Sequence, residues 1–248
     1  MRPPPPHAPS GRGTASACPE IVLGAEELQV VGLSLKVALT SVAASLPVAI
    51  ATAWLLARRN FPGKVLFDAA VHLPLVLPPV VVGYVLLVAF GRNGFLGELL
   101  APLGIVFAFR WTGAALAAAV MSFPLVVRAI RLSMEAVDPR LEAAGRTLGA
   151  GPWRIFFTLT LPLAWPGIAT GVLLGFARSL GEFGATITFV ASIPGETETL
   201  PLAIYGALQV PGGDMVALRL SILSVLLSLG ALAVSEWLSR RRARPTDA

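Results

Sequence analysis

The chain has 248 residues, of which 55% are apolar and 13% charged, with a formal net charge of +5 and a mean hydropathy of +0.77. A soluble domain carries about 25% charged residues, so the composition argues against a water-soluble enzyme and makes a membrane protein the first class to test. The basic balance does not indicate nucleic-acid binding, because the arginines flank apolar stretches and do not line an aromatic, soluble face.

At the amino end, Met1 to Ser16 contains Pro3, Pro4, Pro5 and Pro6 and no apolar core, unlike a cleavable signal peptide. Residues 1–27 are expected to be a disordered or external tail. Cys18 is the only cysteine, so no intrachain disulfide forms. Ala15-Ser16-Ala17-Cys18 is rejected as a lipid-attachment site for want of a hydrophobic segment before it. His7 and His72 lie far apart, no Cys/His cluster offers a metal site, and His72 is read as a packed or hydrogen-bonded residue.

Five apolar segments are long enough to cross a hydrocarbon layer, which takes roughly 20 helical residues. Span one runs from Val37 to Ala57, extended outward to about Leu28, and closes on Arg58-Arg59. Span two covers about Val65 to Phe90. Its Pro74, Pro78 and Pro79 free backbone carbonyls that lipid cannot satisfy, which places its middle against protein or a watery cavity. Span three covers roughly Trp111 to Val127 and span four roughly Ile155 to Leu180. In span four, Gly167, Gly171 and Gly175 form a small-residue stripe, read as packing within the subunit in preference to a dimer seam. The apolar pieces of 184–214 are too short to span and are expected to be external or re-entrant. Span five runs from about Met215 to Leu238, and residues 240–248 form a basic tail.

Lysine and arginine are retained on the cytoplasmic side. Twelve of the nineteen fall on one side of this five-span layout: Arg58, Arg59, Lys64, Arg128, Arg131, Arg140, Arg146, Arg154, Arg240, Arg241, Arg242 and Arg244. The expected topology therefore has the amino end outside and the carboxyl end in the cytoplasm. The expected fold class is an all-α polytopic membrane protein of about five transmembrane helices plus a short cytoplasmic helix. Its transmembrane domain covers 28–239.

That short helix falls in Met134 to Arg154, the most polar internal segment. Asp138 suits the N-cap, Pro139 the first helical position, and Gly149 and Gly151 the end, giving about ten helical residues. The sequence from Leu141-Glu142-Ala143-Ala144 through Gly149 to Leu161-Pro162 resembles the coupling loop of ABC importer membrane subunits. The loop spans about 132–154. The resemblance implies that Arg140, Leu141, Glu142, Ala143, Ala144, Arg146 and Gly149 dock in a cleft of a separate ATPase subunit. Small Ala143 and Ala144 allow close approach, while Glu142, Arg140 and Arg146 serve as polar anchors. The competing physical reading is an amphipathic helix resting on lipid head groups.

No Gly-rich loop ending in Gly-Lys-Ser/Thr is present, since Pro62-Gly63-Lys64-Val65 is only a turn. ATP and Mg are therefore expected on a partner ATPase, and this chain is expected to carry no cofactor, metal or catalytic residue of its own.

Phe61-Pro62-Gly63-Lys64, His72 to Pro79, Ser179 to Thr186 and Ile193 to Thr197 resemble molybdate permease subunits of the same importer class, with tungstate and sulfate permeases sharing parts of the pattern. The resemblance implies a bacterial inner-membrane location, a second copy of the chain, an ATPase dimer below and an external oxyanion-binding protein. Arg178, Ser179, Glu182, Thr186 and Thr188 are candidates for an anion path, with Arg178 and Glu182 four apart on one helical face. A structural ion pair is the competing reading for those two. An ion-gradient-driven secondary transporter is the rival class. It requires internal repeats and deep carboxylates, and neither is evident apart from Glu182.

Overall fold

A computed structural model of the chain describes residues 24–242, with every side chain described as far as 231. The expectations for the proline-rich tail, Cys18, His7 and Arg244 lie outside the described residues. The side chains of Arg240, Arg241 and Arg242 do so as well.

Three helices are long and apolar enough to cross a membrane alone: α1 (Ala25–Arg58), α5 (Trp111–Glu135) and the first eighteen residues of α12 (Asp214–Arg242). Two bent pairs bring the count to five if each is one span. The first is α2 (Lys64–Val76) with α3 (Pro79–Phe90), meeting at 112°. In the second, α7 (Pro152–Ile155), a π-helical turn (Phe156–Thr160) and α8 (Leu161–Leu163) meet α9 (Trp165–Leu180) at 66°. Short helices complete the chain: α4 (Phe95–Leu100), α6 (Pro139–Thr147), α10 (Gly184–Val190) and α11 (Leu200–Leu208).

Span one is longer than expected, because Ala25–Glu27 join α1. The Gly24 N–H donates to the Glu27 carboxylate at 3.0 Å, and Glu27 lies 3.3 Å from the Arg219 guanidinium of α12. Span two is not one straight rod. Leu77 and Pro78 both adopt extended backbone, as residues preceding proline do, and two such residues in succession turn the chain through more than a right angle. The second bend differs: the backbone stays in the helical region, with Ala164 at φ −81°, ψ 0°, and Pro162 and Pro166 each remove a backbone donor on either side of it.

The core is built where α1, α5 and α9 pack side by side. Ala49, Ala53 and Leu56 of α1 meet Val126, Val127, Ile130 and Met134 of α5 and Ile168 of α9. The glycine stripe is an internal seam: Gly167 lies against Ser133, and Gly175 against Val126. A second cluster joins Val82 and Leu86 of α3 to Ala185, Phe189 and Val190 of α10 and to the alanine face of α5. Residues 184–214 thus carry two short helices, α10 and α11, with a tight loop between them. Thr197 closes that loop, accepting from the Ile193 N–H and donating to the Ala191 carbonyl, both at 2.9 Å.

Candidate functional site

Helix α6 forms where the sequence placed it. Asp138 caps it by accepting the Arg140 N–H at 2.8 Å, Pro139 occupies the first position, and Gly149 leaves it at φ +79°. Its outward face is small and apolar in part: Leu141, Ala143, Ala144 and Leu148 are exposed, Leu148 to 87%. Arg140 and Arg146 are exposed beside them.

Glu142 departs from the expectation of an outward polar anchor. Its side chain is only 10% exposed, and it points back into the membrane body. One oxygen accepts a hydrogen bond from the Thr160 hydroxyl at 2.9 Å and lies 2.9 Å from Nε of Arg58. The Arg58 contact is a charge contact whose alignment falls short of a hydrogen bond. The Arg58 guanidinium also donates to the Val137 carbonyl at 3.0 Å. The physical reason is electrostatic: a carboxylate facing a low-dielectric body is stable only when paired and hydrogen-bonded. Arg146 sits 3.8 Å away on the exposed side.

Around this group lies a cavity of about 330 Å³ lined by Trp54, Arg58, Arg59, Arg146, Ile155 and Thr160 among others. Trp54, Trp153, Phe156 and Phe157 pack beside it, with Trp54 against Phe156 at 5.7 Å between ring centres. Arg58 and Thr160 were not among the residues singled out from the sequence. In the sequence Arg58 reads only as a cytoplasmic charge closing span one, and Thr160 only as part of the stretch that runs from Gly149 to Leu161-Pro162.

The anion-path candidates occupy the opposite end of α9 and the start of α10. Arg178 and Glu182 form an ion pair at 2.7 Å, and the other Glu182 oxygen accepts the Ala185 N–H at 2.9 Å, capping α10. The hydroxyls of Ser179 and Ser41 are hydrogen-bonded at 2.9 Å in the α1–α9 interface. Thr188 donates to its own helix at Gly184, and Thr186 is buried. Arg178, Ser179 and Glu182 thus cluster at the α9–α10 corner, with their polar groups engaged by the protein itself. The resemblance segments 72–79 and 179–186 do converge here. Gly184 abuts Pro79, and Gly83 approaches so closely that a Cβ there would lie 2.5 Å from the Ala185 carbonyl oxygen.

Residues 45–244 match the family described as binding-protein-dependent transport system inner membrane component. The chain is 62% identical over 221 residues to the molybdenum transport system permease protein ModB of Escherichia coli K12, covering 89% of this chain and 96% of that one. To the ModB of Haemophilus influenzae it is 59% identical over 216 residues, covering 87% and 94%. The sulfate transport system permease protein CysT of Escherichia coli K12 is 40% identical over 192 residues, covering 76% and 69%. Among solved structures, a bacterial ABC transporter involved in import of the acidic polysaccharide alginate matches at a TM-score of 0.71 and 17% identity, covering 89% and 81%.

Proposed function

Because the chain belongs to the family of binding-protein-dependent transport system inner membrane components, we propose that it is the membrane-spanning subunit of an ATP-driven molybdate importer. The observation that carries this reading is near-full-length identity of 62% to a molybdenum permease, against 40% to a sulfate permease. The chain is a transport subunit and not an enzyme, with ATP hydrolysis on a separate ATPase. It is a multi-pass protein of the inner membrane.

The finer reading has α6 at the cytoplasmic face, presenting Leu141, Ala143, Ala144 and Leu148 to an ATPase. Arg58, Arg59 and Arg146 around one cavity support that orientation, because cationic residues stay on the cytoplasmic side. Two copies of the chain form the path, two ATPase subunits bind below, and an external oxyanion-binding protein delivers the cargo. An apolar helix face with small residues fits a groove on a folded partner. Arg178 and Glu182 stand at the outer corner of the path, where their ion pair at 2.7 Å fixes the corner.

The test is uptake by vesicles containing the chain, its ATPase partner and the external binding protein. ATP-dependent accumulation of molybdate, with sulfate a poor competitor, is the expected result. Accumulation by the chain alone, driven by a proton gradient, would contradict it and favour a secondary transporter.

A further inference from the structure

A single carboxylate ties three separate parts of the chain together. Glu142 lies on α6, Arg58 is the last residue of α1, and Thr160 is the last residue of the π-helical turn at the base of the bent span. Arg58 also holds the Val137 carbonyl in the connector between α5 and α6. Helix α6 packs otherwise chiefly on α7 and that same π-helical turn. Glu142 is buried and Thr160 is 1% exposed, so neither offers itself to a partner from outside.

We infer that Arg58 and Thr160 are positioning residues for energy coupling, latching Glu142 so that movement of α6 is passed to α1 and to the π-helical turn. This rests on the reading of the chain as an ATPase-driven permease. A link between a moving helix and a span needs a rigid, desolvated contact, and charge contacts strengthen as water is excluded. The receiving segment needs to yield, and a π-helical turn is where a helix changes its winding, frequently at functional sites. The turn lies four residues before the 66° bend at Ala164, so a shift at Thr160 is placed to alter that bend. Docking and transmission thereby separate on one short helix: the exposed face binds, and the buried carboxylate pulls.

The experiment uses the full chain reconstituted with its ATPase and binding protein, reading molybdate imported per ATP hydrolysed. Arg58→Glu and Glu142→Arg each lower that ratio about tenfold, and the double variant returns to within about threefold of wild type. Recovery is partial because a glutamate at position 58 cannot donate to Val137. Thr160→Val keeps the shape but removes the donated proton and lowers the ratio about fivefold, whereas Thr160→Ser retains it. Copurification of the ATPase stays at the wild-type level in the Thr160 variants, whose docking face is untouched. The latch is overturned if the double variant is no better than the worse single one, or if Thr160→Val runs at the wild-type ratio or loses the ATPase. A wild-type chain that binds no ATPase contradicts the importer reading itself, and that control precedes the variants.

Discussion

Glu182 lies 2.7 Å from the guanidinium of Arg178, and only 2% of the Glu182 side chain is exposed. Removing the cation leaves a buried carboxylate without its partner. Arg178→Ala is therefore expected to lower stability by about 3 kcal/mol, and Arg178→Ala with Glu182→Gln to recover most of it. Thermal unfolding in detergent checks this. Equal loss in the single and double variants would show that the pair is not what holds the corner.

Ser34 on α1 accepts the backbone N–H of Leu200 at 2.7 Å while donating to the Val30 carbonyl at 2.9 Å. Leu200 opens α11, where backbone donors have no partner within the helix. Ser34→Ala is expected to cost about 1–3 kcal/mol by stranding that buried N–H. Hydrogen exchange resolved to the start of α11 should show faster exchange there, and unchanged exchange would contradict the tie.

Gly83 faces the Ala185 backbone with no room for a methyl group, whereas Gly32 has nothing within 4 Å of one. Gly83→Ala is expected to separate α3 from α10 at a cost of about 1–3 kcal/mol, and Gly32→Ala to be tolerated. Uptake and unfolding temperature measured on both variants check the contrast. A neutral Gly83→Ala would mean that the two helices slide apart without loss.

Leu148 is the most exposed large apolar side chain of the α6 region, at 87%. If that face enters a partner groove, Leu148→Asp carries a charge into it and is expected to weaken ATPase binding at least about tenfold. Helix α6 itself should persist, because its cap and its Glu142 contacts are elsewhere. Wild-type binding by Leu148→Asp would remove this side chain from the interface.

Much of the architecture was legible because a bilayer imposes long apolar runs, and α6 was legible because Asp138, Pro139 and Gly149 carry local backbone chemistry. The direction of Glu142 was not. It depends on Arg58 and Thr160, which meet it only after α1, α5 and the bent span have packed together. Nor was the 112° turn at Leu77–Pro78 legible, since prolines 78 and 79 announce a break without its angle. Hydroxyl residues were the weakest signal. The spacing that made Ser179 and Thr188 anion-path candidates does not reveal that Ser179 accepts from the Ser41 hydroxyl or that Thr188 donates to the Gly184 carbonyl.

The most direct measurement is site-specific cross-linking from the exposed face of α6. With Cys18, the sole cysteine, replaced by serine, Ala143→Cys receives a photoreactive probe in membranes containing the whole assembly. The expected product is a covalent adduct with the ATPase subunit that changes in yield when ATP is bound. Adducts with phospholipid alone, whatever the nucleotide, would leave α6 as a helix resting on the membrane and would contradict its role as the coupling element.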